Sequence, residues 1–168
     1  MFEQVDLSTL ELNPFTTIGE DKFLITAGNV DQYNTMTAGW GFFGTMWNKS
    51  AFGIVVRPSR YTYEFLQNSN HFTVSFFSAE YSETLKYLGQ NSGRDKDKIS
   101  MTNLSPTSVG DKYITFEEAN MVLCCKKASM SPIEPEHFLL DEINEHYEQG
   151  DYHTLFIGFV QRLLVQES

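Results

Sequence analysis

A mainly β fold, a barrel or a sandwich carrying a few short helices, is what the 168-residue sequence predicts, on three observations. At least six short segments read as strands, either by alternation of apolar and polar residues or as brief apolar, β-branched runs. Helical signals are confined to two short segments. The chain is also rich in core-forming residues, 41% hydrophobic and 14% aromatic with fourteen Phe and eight Tyr, which excludes an unfolded chain. Its length suits a single domain over residues 1–168.

The elements can be justified in order. Residues 22–30 set Phe23, Ile25 and Ala27 against Leu24 and Thr26, and residues 51–56 are a short apolar run, so both predict strands. Thr62 fits the N-cap of a helix over 63–68. Residues 71–77 place Phe72, Val74 and Phe76 on one face and Thr73 and Ser75 on the other, which predicts a half-buried strand. Tyr81, Leu85 and Leu88 share a helix face that Gly89 terminates. Residues 113–116, 121–127 and 154–165 predict three more strands. Residues 131–151, with Pro132, Pro135 and acidic residues including Glu134, Glu136, Asp141, Glu142, Glu145 and Glu148, predict a solvated excursion without chemistry.

A formal net charge of -10 excludes a general nucleic-acid binder, so an anion must be held by a local cluster among the twelve Lys and Arg. Residues 1–12 carry Glu3, Asp6 and Glu11 and predict no secretory leader, and no stretch has the length of a membrane-spanning helix. Cys124 and Cys125 are adjacent, face opposite sides of a strand and predict buried thiols in a reducing, cytoplasmic setting. His71, His137, His146 and His153 lack ligand spacing, and no metal site is expected.

Gly39, Gly41 and Gly44 satisfy the spacing of a dinucleotide-binding turn. That turn requires a helix to start there, whereas residues 45–56 are strand-like, so the glycines suit bends in a curved sheet.

The segment Arg57-Pro58-Ser59-Arg60-Tyr61-Thr62 leaves a strand and opens a helix, and it offers two guanidinium groups and three hydroxyls to an anion such as phosphate. Neutralising carboxylates at a strand end would use the same arginines equally well. Ser92-Gly93-Arg94-Asp95-Lys96 is a second cationic turn, able to close over the same anion or to serve as an ordinary polar turn. Upstream, Asn34, Thr35, Met36, Thr37 and Trp40, with Met46 and Trp47 beyond, suit either a flat heteroaromatic ring or simple core packing.

In that order, residues 34–41 with Met46-Trp47, residues 56–65 (Val-Arg-Pro-Ser-Arg-Tyr-Thr-Tyr-Glu-Phe), 72–77 and 92–98 (Ser-Gly-Arg-Asp-Lys-Asp-Lys) resemble the flavin reductase-like family over most of the chain. The resemblance implies a Greek-key split β-barrel that binds FMN, with chemistry at flavin N5 and no protein nucleophile. It implies that Asn34, Thr35, Met36 and Thr37 touch the isoalloxazine and ribityl, that Trp40, Met46 and Trp47 wall the ring, and that Arg57, Ser59, Arg60, Tyr61 and Thr62 hold the phosphate. Ser92, Gly93 and Arg94 match the family's last block. A homodimer is implied as well. Two activities share these residues: an NAD(P)H-dependent flavin reductase, and a flavoredoxin-type carrier reduced by a redox partner protein without a nicotinamide site. Relatives often carry an acidic residue where this chain has Phe159, and commonly a histidine at the place of His153, for which backbone satisfaction at a strand end is the simpler reading.

Overall fold

The computed structural model describes residues 1–167. Ten strands run β1 (Phe2–Val5), β2 (Phe23–Gly28), β3 (Tyr33–Ala38), β4 (Gly41–Met46), β5 (Lys49–Val56), β6 (His71–Phe76), β7 (Pro106–Val109), β8 (Tyr113–Phe116), β9 (Met121–Pro132) and β10 (Thr154–Gln166). Two α-helices, α1 (Tyr61–Asn68) and α2 (Ser82–Gln90), flank β6 in sequence. Seven of the strands form an antiparallel path β3-β2-β6-β9-β10-β5-β4, with β1 added to β10, while β7 and β8 make a separate hairpin.

The edge strands of that path, β3 and β4, are joined by Gly39 and Trp40 alone, so the sheet must curl until its two ends lie together. They do not hydrogen-bond to each other, and the fold is a split barrel. Phe23, Phe52, Phe72, Phe76 and Phe156 fill the interior; Phe23 meets Phe52 edge to face at 5.6 Å and Phe43 stacks on Phe76 at 6.1 Å. Gly158 allows this packing, because a Cβ there would lie 2.5 Å from Phe72 Cζ and 2.8 Å from Cys125 Cβ.

The outer face of the same strands is also covered. Leu24, Val122 and Cys124 pack with Leu85 and Leu88 of α2 and with Tyr113 and Phe116 of β8. This corrects the half-buried reading of 71–77. Thr73 and Ser75 are fully buried, because the β7–β8 hairpin lies over them and satisfies their hydroxyls: Thr73 Oγ1 donates to Ile114 O at 2.6 Å, and Ser75 Oγ meets Thr115 Oγ1 at 2.8 Å. Cys124 and Cys125 do face opposite cores as free, buried thiols, with Cys124 pushed up to about 12 by burial.

Several boundaries differ from the sequence reading. The helix expected over 63–68 starts at Tyr61 with Arg60 as its N-cap, so Thr62 lies inside the first turn and not at the cap. The second helix continues through Gly89 to Gln90. Strands β3 and β4 and the π-helical turn Phe15–Glu20 were not foreseen. Gly41 and Gly44 lie within β4, which turns directly into β5 through Trp47 and Asn48, both at positive φ (51° and 58°) as a two-residue hairpin requires. A strand follows the glycines where a dinucleotide turn would need a helix.

Candidate functional site

The first turn of α1, the C-terminal end of α2, the loop 91–98 and the middle of β3 converge on a cleft of about 260 Å³. Asn34 fixes one wall. Its side chain is buried, and Nδ2 donates to Thr62 Oγ1 at 2.7 Å, so β3 is tied to the start of α1. The loop passes close over this bond at Gly93, where a Cβ would sit 2.1 Å from Asn34 Oδ1. A glycine is needed there for close approach of backbone.

Two cations enter from different elements. Arg60 donates from Nη2 to Gly89 O at 3.1 Å. Lys98 is almost wholly buried and donates from Nζ to Leu88 O at 2.9 Å and Asn91 O at 3.0 Å. These carbonyls end α2 or follow it, so the negative pole of that helix helps to hold both charges. Burial, with Arg60 nearby as a second cause, brings the Lys98 ammonium down to about 8; burial also lowers the Arg60 guanidinium. No side chain caps the N-terminus of α1, which opens on the same cleft. Among the described residues, none lining the cleft is acidic, although the chain carries 22 Asp and Glu.

The residues singled out in sequence therefore separate into groups. Asn34, Met36, Ser59, Arg60, Tyr61, Thr62, Ser92 and Gly93 meet at the cleft. Thr35 points into the sheet, donating to Ile25 O at 3.1 Å, and Thr37 donates to Leu85 O and anchors α2. Arg94 turns to Glu64, with which it pairs, and lies 4.9 Å from the Tyr61 ring centre. Trp40 lies between His146 and His153, with ring centres at 5.1 and 5.0 Å. Met46 and Trp47 sit exposed at the β4–β5 turn, where Trp47 meets Phe159. The structure does not bring these last three to the cleft.

Arg57 is displaced as well. Its Nη1 donates to Asp151 O at 3.0 Å, its Nη2 to His146 O at 2.7 Å, and the guanidinium covers the Tyr147 ring at 5.0 Å. Asp151 also accepts from Ser59 N at 3.1 Å and from Ser59 Oγ. The stretch 131–151 is thus not merely a solvated excursion. Its end folds back on the 57–59 turn because that turn offers donors to its carbonyls and to one carboxylate. His153 is satisfied by Tyr147, with the hydroxyl 2.7 Å from Nδ1, and not by backbone. Burial, reinforced by Arg57, takes its imidazole down to about 4.

Lys98, Gly89, Gln90 and Asn91 also line the cleft and were not singled out as site residues. Lys98 closes the block 92–98, but nothing in its neighbours announces that it is buried.

The family model for the flavin reductase like domain matches residues 17–168. The chain belongs to that family. No curated protein matches the chain by sequence. Among solved structures, an FMN-binding domain of a flavin reductases-like enzyme from Shewanella baltica is similar with a TM-score of 0.71 and 17% identity, over 98% of this chain and 77% of that one. Flavoredoxin of Desulfovibrio vulgaris (Miyazaki F) gives 0.67 and 24% over 87% and 69%. The styrene monooxygenase flavin reductase from Pseudomonas putida gives 0.63 and 16% over 88% and 80%. This flavin reductase-like chain shares their fold.

The cleft suits the phosphate end of a flavin mononucleotide. Its volume is below the roughly 300–1,000 Å³ usual for a whole drug-sized ligand, so it has room for a phosphate and part of its chain but not for a whole cofactor. Two buried or half-buried cations beside an uncapped helix start suit a phosphate monoester.

Proposed function

We propose that the protein binds FMN with the phosphate in this cleft and acts as an NAD(P)H-dependent flavin reductase. The observation that carries the reading is the pairing of Arg60 with Lys98 in a cleft that no carboxylate lines, on a chain of net charge -10. Arg60 supplies a planar fork and Lys98 a compact ammonium, and Ser92 and Thr62 contribute hydroxyls. Met36 offers an apolar contact beside them. When bound, FMN supplies the hydride and electron chemistry. The chain holds and orients it, and Asn34 and Gly93 keep the cleft in shape through their close contact.

The same reading takes the chain as a homodimer. The open edge strand β4 presents Phe42 and Met46, with Trp40 and Trp47 at its two ends, all exposed in the single subunit. Edge strands with apolar side chains are ordinarily covered. The two free thiols agree with a cytoplasmic setting.

The test is the visible spectrum of the purified protein after incubation with FMN and desalting, followed by anaerobic NADH and then NADPH. A retained flavin band that bleaches with either nucleotide supports the reductase. A band that bleaches only with dithionite moves the reading to a flavoredoxin-type carrier served by a partner protein. Absence of a retained band removes the cofactor assignment.

A further inference from the structure

A second, more open hollow of about 250 Å³ lies beside the cleft and shares only Tyr61 with it. Asn29, Gln32, Glu64 and Phe65 are among its walls. The partition between the two is made of side chains. The Tyr61 ring is held edge to face against Phe65 at 5.1 Å on one contact and under the Arg94 guanidinium on another. Arg94 is fixed in turn by its ion pair with Glu64.

We propose that Tyr61, Arg94 and Glu64 form a specificity wall that admits a flavin ending in a phosphate monoester and rejects one that continues through a pyrophosphate into a second nucleoside. The inference rests on the FMN reading above and deepens it. A monoester carries about -1.5 to -2 at neutral pH, which Arg60 and Lys98 together match. A pyrophosphate would have to carry its second phosphate past Tyr61. Arg94 is already held by Glu64 and offers no free charge to that phosphate, so the pair would have to open before it could pass. Beyond the wall, the Phe65 ring and the Gln32 side chain line a hollow with room for part of a second nucleoside. The obstacle to a dinucleotide is therefore the charged partition, not a lack of room behind it.

The experiment is a titration of the flavin-free protein with FMN and with FAD, read by quenching of flavin fluorescence, on the unaltered chain and on Glu64→Gln and Arg94→Ala. Both side chains are about half exposed, so the fold should survive, and far-ultraviolet circular dichroism checks it. The unaltered chain should prefer FMN by about 100-fold, which is about 2.7 kcal/mol; Glu64→Gln, which frees Arg94, should narrow the ratio about tenfold by gaining FAD affinity, whereas Arg94→Ala, which leaves the Glu64 carboxylate unneutralised, should not narrow it. Equal affinities within about threefold in the unaltered chain, or a ratio unmoved by Glu64→Gln, overturn the wall while leaving FMN binding in place. Binding of neither flavin overturns the FMN reading and the wall with it.

Discussion

Asn34 on β3 and Thr62 in the first turn of α1, both buried, are joined by a hydrogen bond of 2.7 Å from the amide to the hydroxyl. The bond holds the cleft's two walls in register. Thr62→Val keeps the shape and removes the acceptor, so the Asn34 amide is left unpaired. The expected loss is about 1–3 kcal/mol of stability, measured by urea denaturation, together with weaker FMN binding.

Gly93 stands over the same bond. An alanine there places its Cβ 2.1 Å from Asn34 Oδ1, and the asparagine can yield only by giving up Thr62. Gly93→Ala should therefore lower FMN affinity about tenfold or more, by about 1.4 kcal/mol at least. The double variant with Thr62→Val should lose less stability than the sum of the two singles, since both break one interaction. Simple additivity in denaturation would mean that Gly93 acts on something else.

What the sequence disclosed follows from which forces are local. The period-two pattern of 22–30 and 71–77 is written in neighbouring residues, and β2 and β6 lie there. Strand β3 was not legible as a strand because Asn34 and Thr35 are polar yet buried, and their partners Thr62 and Ile25 lie on other elements. Arg60, Tyr61 and Thr62 reach the cleft because the turn that carries them is itself a local signal. Arg57 sits in that turn too, but its acceptors on His146 and Asp151 are about ninety residues away in the chain and take it elsewhere. Lys98 was missed for the converse reason: its place is decided by the carbonyls at the end of α2, which no spacing rule anticipates.

His153 provides a check on the packing around Arg57. Its imidazole stands at about 4 against an ordinary 6.5, lowered by burial and then by Arg57 and His146, with Asp151 acting in the opposite sense. Between those values the unfolded chain binds more protons than the folded one, so this group's contribution to stability is lost as pH falls from about 6.5 towards 4. His153→Gln cannot titrate, and its melting temperature should decline less over that interval than that of the unaltered chain. Parallel curves would mean that the ring is charged or solvated in the folded state.

Lys98 yields the prediction with two opposite signs. Its ammonium is at about 8 in the flavin-free fold, against 10.5 ordinarily. FMN needs it charged, and the phosphate itself reaches its dianionic form above pH about 6. Affinity should thus be greatest between pH 6 and 8 and fall as pH rises beyond about 8, a limb that Lys98→Met should abolish along with much of the affinity. Stability of the flavin-free protein moves the other way. Between pH 8 and 10.5 the unfolded chain holds the proton that the folded chain has shed, so the lysine's contribution to stability rises with pH across that window. Measuring Kd by flavin fluorescence and the melting temperature of the flavin-free protein over the same pH series separates the two. A titrating anion site at Lys98 requires both slopes to disappear in Lys98→Met, whereas a lysine that serves only to brace the end of α2 would lose the stability slope and leave the pH dependence of FMN binding intact.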